Sequence, residues 1–285
     1  MPKFILLWTD MFVWLMVGLV AVYIWHVRRH PALARAWRSV FYTPSALAAA
    51  IILGFFIAVG LLDSIHYRPV LPATENQTQV RYAPVARSVL DDVLAWAALA
   101  KKERSYSAPL ATHLFFKESQ IQDGQVIRDF PRLEHAALQI QNTEQHHYEL
   151  MQLAAWSAAA IVLMALVLYG LCQQGRRRHA AFPWRSLYWS LTLLFSLIIV
   201  VLIYSRFYYV LGTDRSGNDV IFQSLKSIRT ALVIGTLTTL AMLPPALGFG
   251  IAAGYFKGWV DDVIQYIYTT LTSIPGVLLI AACVL

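Results

Sequence analysis

The chain has 285 residues, of which 58% are apolar and only 14% are charged, whereas a typical soluble domain carries about 25% charged residues. This composition excludes an ordinary soluble protein and indicates a protein that crosses a membrane several times. The net charge of +7 comes largely from arginines clustered beside apolar runs, which is typical of cytoplasmic loops and argues against a nucleic-acid-binding surface.

Six apolar runs are long enough to cross a bilayer, which takes roughly 20 mostly apolar residues. They cover approximately residues 4–25, 44–62, 150–171, 187–204, 231–253 and 263–285. The first run is too long for the core of a signal peptide and lacks a small-residue cleavage site, so we expect it to be retained. We therefore predict an all-α membrane protein with six transmembrane helices.

The charges of the connecting segments predict how these helices are oriented. Residues 26–43 and 172–186 each contain four arginines and no acidic residue, which places both segments in the cytoplasm. Residues 63–149 carry nine basic and eleven acidic residues and should be extracytoplasmic. We therefore expect the N-terminus and residues 205–230 outside, and residues 254–262 inside.

Residues 63–149, which we call the cap, are long enough for a small domain. The cap opens with VLPATENQTQ, whose composition is that of a linker. Apolar residues then recur at helical spacing in RSVLDDVLAWAALAKKE. The segment ALQIQNTEQHHYELMQLAAW is expected to form a helix that runs into the third span. The sequence therefore predicts a mainly helical extracytoplasmic cap.

No catalytic or cofactor-binding motif stands out. Glu144 and His147 lie three residues apart, but no second closely spaced pair completes a metal site, so a solvated helix face is favoured. The chain has no GxxxxGK[ST] motif, so it does not bind ATP through a P-loop. The segment GFGIAAG is close to a dinucleotide-binding fingerprint, but it follows a predicted membrane helix rather than a strand and is interpreted as helix packing. We therefore predict a subunit that is not an enzyme and has no cofactor of its own. Asp10, near the outer end of the first span, is expected to face lipid headgroups.

The polar string YYVLGTDRSGNDV, residues 208–220, separates two apolar runs. Gly212 and Gly217 permit positive φ, and the side chains of Asp214 and Asp219 can accept hydrogen bonds from nearby backbone amides. The following VIFQSLKSIR suits a short helix on the membrane surface that Asp219 would cap.

Arg229, at the mouth of the fifth span, is expected to pair with Asp214 or Asp219 or to reach lipid headgroups. Two interpretations of the polar string remain open. It forms either a structural elbow at the membrane interface or a surface that contacts another molecule.

The fifth span contains two prolines that disturb a helix and two glycines that leave its surface without side chains. Pro244 and Pro245 remove two backbone donors and are expected to kink it, and such a kink often borders the pathway of a transporter. Gly250 and Gly254, at small-xxx-small spacing, allow another helix to approach closely.

The segment LGTDRSGNDVIFQSLKSIRTAL, residues 211–232, resembles the signature of the second permease subunit of ABC importers for dipeptides and oligopeptides. The matching residues are Gly212, Thr213, Asp214, Gly217, Asp219, Val220 and Arg229. Further along, AGYFKGWVDD resembles the family's cytoplasmic turn, and SIPGVLL its next span. The residues in these two segments that carry the resemblance are Tyr255, Gly258, Trp259, Asp261, Asp262 and Pro275.

The resemblance covers residues 187–285. It implies that this part of the chain corresponds to the start of the transmembrane domain of a type I ABC importer permease. We expect four parts: residues 1–62 with two transmembrane helices and a basic loop, the cap, residues 150–186 with the third helix and a second basic loop, and the permease-like part. Asn218 and Ser227 depart from the family pattern. The family's ATPase-coupling loop would follow residue 285, so we expect the sequence to be a fragment of a longer reading frame.

The resemblance implies one half of a heterodimeric pore in the bacterial inner membrane that imports peptides or similar small solutes. Its partners would be a second permease subunit, two cytoplasmic ATPases that bind the ATP, and a periplasmic solute-binding protein. The molecule that the polar string contacts, if it is not only an elbow, would then be the substrate or this binding protein. The alternative is a membrane sensor or scaffold, since two spans flank the cap. The transport interpretation is favoured because residues 172–186 form a short loop with no output domain.

Overall fold

The computed structural model describes residues 3–70, 81–122, 125–136, 143–178 and 181–284. Within them, five helices are long and apolar enough to cross a membrane, with mean hydropathies of 1.7 to 2.5 over their most apolar stretches. These helices are α1 (Trp8–Arg29), α3 (Pro44–Asp63), α5 (Thr143–Arg178), α6 (Trp184–Tyr204) and α7 (Val220–Phe256). They coincide with the first five predicted spans, so a multi-pass helical membrane protein is confirmed.

The predicted sixth span is instead a pair of helices, α8 (Trp259–Ser273) and α9 (Gly276–Val284), bent by 90° at the break between them. A sixth transmembrane helix over this segment therefore stays a prediction. Ile274 has an extended backbone, with φ −82° and ψ 127°, because the ring of the following Pro275 disfavours the helical conformation of the residue before it. The described residues thus contain five candidate spans, or up to six if the bent pair forms one span.

The basic segment after α1 is mostly helical, since α2 covers Pro31–Tyr42. His30 is extended, as residues before proline usually are, and Pro31 then occupies the first helical turn, where its missing N–H costs nothing. The indole Nε1 of Trp37 donates to the Tyr23 hydroxyl of α1 at 3.1 Å. The polypeptide therefore turns back along α1 before α3 begins.

The cap is built mainly from strands and irregular structure. An antiparallel sheet has the order β1 (Lys3–Ile5), β2 (His66–Arg68) and β3 (Arg87–Ser88). Two further strands, β4 (Glu118–Gln122) and β5 (Gln125–Asp129), form a hairpin with Glu118 opposite Asp129.

Of the described residues between α3 and α5, only α4 (Val89–Trp96) is α-helical. The prediction of a mainly helical cap is therefore wrong, although the two helices predicted within it are present where the structure describes them. The α4 helix ends early because Ala98 takes a left-handed conformation, with φ 59°, and Leu99 N–H bonds back to the Leu94 carbonyl at 2.9 Å, as in a helix C-terminal turn.

The chain divides into two compact units, residues 1–232 and 233–285. In the first unit, the main apolar core joins α3, α4 and the start of α7. Its buried members are Val59, Leu90, Leu94, Ala97, Leu99 and Ile221. The cap is thus packed directly on the ends of the helices.

The two ends of the helices in the first unit differ in character. At one end, the start of α1, the end of α3 and the start of α7 meet the cap. At the other end, the Ser186 hydroxyl donates to the Pro44 carbonyl at 2.5 Å. This contact joins the start of α6 to the start of α3, and each of these helix ends lies beside an arginine-rich segment. This arrangement agrees with the predicted alternation, while the assignment of the arginine-rich end to the cytoplasm stays a prediction.

Candidate functional site at the junction of cap and helices

The polar string forms a tight loop, residues 211–219, which we call the docked loop. The Asp214 carboxylate accepts hydrogen bonds from the backbone N–H groups of Ser216 at 2.8 Å and Asn218 at 2.9 Å. The Gly217 N–H bonds to the Asp214 carbonyl at 2.9 Å. The predicted turn chemistry is therefore confirmed, since an aspartate side chain closes the loop on its own backbone.

Two glycines let this loop lie against the cap. Gly212 and Gly217 both have φ of 76°, which side chains disfavour. A Cβ at Gly217 would lie 1.8 Å from the Glu103 carbonyl oxygen, and one at Gly212 would lie 2.2 Å from that of Ser107. In this close approach the Glu103 N–H donates to the Gly217 carbonyl at 2.7 Å.

Thr213 extends the same contact with its side chain. Its hydroxyl donates to the Ser105 carbonyl at 2.7 Å and lies 3.1 Å from the Ser107 hydroxyl. Its backbone N–H bonds to the Ser107 carbonyl at 3.3 Å. Only 3% of Thr213 is exposed, so the residue holds the loop to the cap rather than facing open solvent.

Asp219 caps α7, as predicted. Its carboxylate accepts the backbone N–H of Ile221 at 2.8 Å, and it is only 1% exposed. Burial raises the pKa of this carboxyl, although the N–H groups of Ile221 and Phe222 and the charge of Lys101 act in the opposite direction. The predicted surface helix after Asp219 is not separate, because it forms the first turns of the 37-residue α7.

Glu103 is a second buried acid that organises the cap. It is 5% exposed and accepts backbone N–H groups from Glu134 at 3.0 Å and His135 at 2.8 Å. The hydroxyl of Tyr209, which lies beside the docked loop, donates to the same carboxylate at 3.2 Å. Burial and this negative charge raise the pKa of Tyr209, so the phenol stays protonated and serves as a donor.

Arg229 has other partners than those predicted. Its guanidinium Nη2 lies 2.5 Å from the Asp10 carboxylate, and its Nη1 lies 3.9 Å from that of Asp63. The predicted pairing with Asp214 or Asp219 is wrong, because ten residues of α7 place Arg229 about 15 Å along the helix from Asp219. The prediction that Asp10 faces lipid headgroups is also wrong, since Asp10 is completely buried.

Asp10, Asp63, His66, Asp91, Lys226 and Arg229 form one ionic group, which we call the junction cluster. The Nδ1 atom of His66 lies 3.0 Å from Asp10. The ammonium of Lys226 lies 2.7 Å from Asp91 and 3.8 Å from Asp63. The cluster thus combines three carboxylates with two fixed cations and one imidazole.

The Ser88 hydroxyl completes the cluster by donating to Asp63 at 2.8 Å. These contacts join the start of α1, the end of α3, the β2 and β3 strands, α4 and α7. The cluster can hold these six elements together, because each acid has a cation, an imidazole or a hydroxyl against it.

Sequence reasoning missed this cluster, although one signal was present. An acid at the edge of an apolar run needs a partner, and both Asp10 and Asp63 occupy such positions.

Among the described residues, no group of three or more His, Cys, Asp and Glu side chains is placed to hold a metal ion. One of the cap histidines, His146, instead has its Nδ1 atom 3.1 Å from the Tyr208 hydroxyl.

The remaining predicted residues lie in the second unit. Helix α7 continues through Pro244 and Pro245. A Cβ at Gly250 or Gly254 would meet no atom within 4 Å, so these glycines make no close packing contact with the described chain. The kink and the close helix approach therefore stay predictions.

The predicted cytoplasmic turn connects α7 to α8. Tyr255 and Phe256 end α7, and Trp259 begins α8. Lys257 and Gly258 between them both have positive φ, at 50° and 60°. Asp261 and Asp262 occupy the first turn of α8, where negative charge is favoured by the helix dipole.

Comparison with known proteins adds a homologous segment. The chain is 35% identical over 74 residues to the glutathione transport system permease protein GsiD of Pectobacterium atrosepticum, covering 26% of this chain and 25% of that protein. It is 31% identical over 71 residues to the oligopeptide transport system permease protein OppC of Mycobacterium bovis and of Mycobacterium tuberculosis, covering 25% of this chain and 24% of each relative. The match thus spans about a quarter of the length of these relatives.

No protein-family profile matches the chain, and no solved structure matches it. The predicted resemblance is nevertheless confirmed, since the homologues of this chain are permeases of glutathione and oligopeptide transport.

Proposed function

We propose that this chain is a permease subunit of an ATP-driven ABC importer that moves peptides or similar small solutes across the bacterial inner membrane. The observation that carries the proposal is the 35% identity over 74 residues to a permease of glutathione transport. The five apolar helices of spanning length support it, because a solute pathway needs several helices in the membrane.

The second unit supports pairing with another permease subunit. Large apolar side chains on α7, α8 and α9 are exposed, among them Phe249 at 62%, Tyr266 at 71% and Val277 at 79%. Gly250 and Gly254 leave open space on α7, which suits the close approach of a further helix. In the proposed assembly, this second permease packs on these surfaces, and lipid covers the rest.

The chemistry of the docked loop supports a structural role for the sequence signature. Thr213 and Asp219 are buried, and their polar atoms are engaged by the cap and by α7. We therefore favour the elbow interpretation over direct contact with substrate. In this function the elbow anchors the outer end of α7 to the cap, and this end of the helix stays fixed during transport.

The energy and the direction of transport come from the proposed partners. Two cytoplasmic ATPase subunits hydrolyse ATP, and a periplasmic binding protein delivers the solute. The permease pair then exposes a central cavity to each side in turn. Import rather than export follows from the resemblance to peptide importers.

Uptake measurements test this function. Deletion of the gene together with its neighbours should abolish or strongly reduce uptake of labelled glutathione, dipeptides or oligopeptides, and plasmid-borne copies should restore it. Affinity purification of the tagged protein should recover a second permease and an ATPase. Unchanged uptake of all these solutes would show that the peptide assignment is wrong, and purification without an ATPase would favour the sensor or scaffold alternative.

A further inference from the structure

A cleft of about 370 Å³ lies between the end of α5 and the start of α6, at the arginine-rich end of the first unit. We call it the α5–α6 cleft. Its lining combines two arginines, four aromatic residues and two smaller polar ones: Tyr169, Cys172, Gln173, Arg176, Trp184, Arg185, Tyr188 and Trp189. Neither the docked loop nor the junction cluster contributes to it.

The walls of this cleft are set by close packing between the two helices. A Cβ at Gly175 would lie 2.3 Å from the ring of Trp184, so the indole fits against α5 only because position 175 has no side chain. Tyr169 of α5 and Tyr188 of α6 meet edge to face, with ring centroids 6.1 Å apart. These two contacts hold Trp184 and Tyr188 of α6 against α5.

The charge of the cleft is unbalanced. Arg176 and Arg185 form no ion pair among the described residues. Residues 150–213, which include all of α6 and all of α5 except its first seven residues, contain no aspartate or glutamate. Two arginines that line one cleft without a carboxylate among its lining residues favour an anion, and planar guanidinium donor sets match the oxygens of a phosphate.

The position of the cleft relative to the membrane favours an anionic ligand that also has an apolar part. Arg176 follows closely on the apolar run of α5, and Trp and Tyr side chains commonly lie at the level of the lipid headgroups. Leu166 of α5 and Leu193 of α6 are 63% and 67% exposed, on the membrane-spanning parts of the same helices. A ligand with a phosphate beside the arginines and acyl chains along these leucines would satisfy both surfaces.

We propose that the α5–α6 cleft binds the headgroup of an anionic glycerophospholipid, with its phosphate against Arg176 and Arg185. Basic pockets between transmembrane helices are suited to this class of lipid. The inference does not depend on the transport function proposed above. The bound lipid holds the α5–α6 hairpin at the membrane surface and fixes the arginine-rich end of the first unit.

Lipid titration of the purified, detergent-solubilised protein tests the site. Short-chain phosphatidylglycerol is added, and the bound lipid is counted by native mass spectrometry. One arginine near a membrane surface contributes roughly a fivefold change in affinity for anionic lipid, so the double variant Arg176→Gln/Arg185→Gln should bind about thirtyfold more weakly. The matched control is Arg177→Gln/Arg178→Gln, which removes the same charge from arginines outside the lining and should bind like the wild type.

A second variant separates the shape of the cleft from its charge. Gly175→Ala keeps both arginines but displaces Trp184, and it should also weaken phosphatidylglycerol binding. Equal losses in the two double variants would overturn the proposal, because they would show attraction by overall charge alone. Equally tight binding of phosphatidylcholine, or displacement of the lipid by inorganic phosphate at similar concentration, would also overturn it, the latter by assigning the site to a free anion.

Discussion

Arg229 on α7 and Asp10 at the start of α1 lie 219 positions apart in the sequence, yet their charged groups meet at 2.5 Å. Asp10 is fully buried, and the Arg229 side chain is 15% exposed. Asp10 also faces His66, and Arg229 also faces Asp63. The pair therefore connects the first transmembrane helix, the cap and the permease-like helix at one point.

Removing the guanidinium should be costly. Arg229→Ala would leave Asp10 buried without its cation, a change that typically destabilises a protein by about 3–5 kcal/mol. We expect a large fall in the melting temperature of the detergent-solubilised protein, measured by fluorescence-detected size-exclusion chromatography after heating. The control is Arg215→Ala in the docked loop, since Arg215 is exposed and its loss should change stability by less than about 0.5 kcal/mol.

The double variant Asp10→Asn/Arg229→Gln distinguishes a lost charge pair from lost packing. It removes both charges but keeps polar groups of similar size, so it should recover much of the stability lost in Arg229→Ala. If Arg229→Ala melted at the wild-type temperature, Asp10 would have another partner and the junction cluster would not hold these elements together.

Gly217 should not tolerate a side chain. In Gly217→Ala the new Cβ would collide with the Glu103 carbonyl oxygen at 1.8 Å, and the left-handed backbone adds strain. We expect the docked loop to separate from the cap, which should appear as new protease cleavage between residues 209 and 219. The matched control is Gly54→Ala in α3, where a Cβ meets no atom within 4 Å. Equal protease resistance of both variants would contradict the close contact.

The elements that follow from local sequence were largely predictable. Long apolar runs identified five spans, and the Gly and Asp residues of the docked loop identified its turn chemistry. The local sequence also contained two signals for secondary structure that the predictions did not use. His30 before Pro31 marks the start of α2, and the Asp123-Gly124 pair between short alternating runs is a hairpin signal for β4 and β5.

Long-range pairing was not predictable in the same way. Nothing in the sequence near Arg229 indicates that its partner is Asp10, because helix packing and the fold of the cap decide which charges meet. Nearby acids such as Asp219 are excluded by helix geometry, since one helix extends from Val220 past Arg229. The junction cluster thus shows that charges at the ends of separate spans need to be considered together.

Asp219 should be replaceable by asparagine but not by alanine. Asparagine caps a helix about as well as aspartate, whereas alanine at such a position typically costs about 1 kcal/mol. Because burial raises the pKa of Asp219, the neutral amide also avoids the cost of a buried charge. Asp219→Asn should therefore melt at or above the wild-type temperature near pH 7, and Asp219→Ala below it.

The pH dependence gives a further check on this residue. A carboxyl whose pKa is raised on folding favours the folded state most when it is protonated, so its destabilising effect grows as the pH rises above the ordinary value of 3.8. The difference in melting temperature between Asp219→Asn and wild type should thus become smaller at acidic pH. A difference that is constant with pH would mean that the charge of Asp219 is fully compensated by Lys101 and the helix N-terminus.

Asp91 should show the opposite pH dependence. Burial alone would raise the pKa of Asp91, but the hydrogen bonds from Lys226 and Ser88 outweigh it, and the pKa is lowered from 3.8. The Asp91–Lys226 pair at 2.7 Å therefore stabilises the fold fully above that value, and the stabilisation is lost as the pH falls through the lowered pKa.

Asp91→Asn should melt below wild type at pH 7, and the two melting temperatures should converge as the pH falls below 3.8. The pair is only partly buried and is therefore partly screened by water, so we expect a difference of only about 1 kcal/mol. The control Asp92→Asn changes an acid on the same helix that faces Tyr67 rather than Lys226. If Asp92→Asn and Asp91→Asn had the same effect at pH 7, the contact with α7 would contribute nothing to the attachment of the cap.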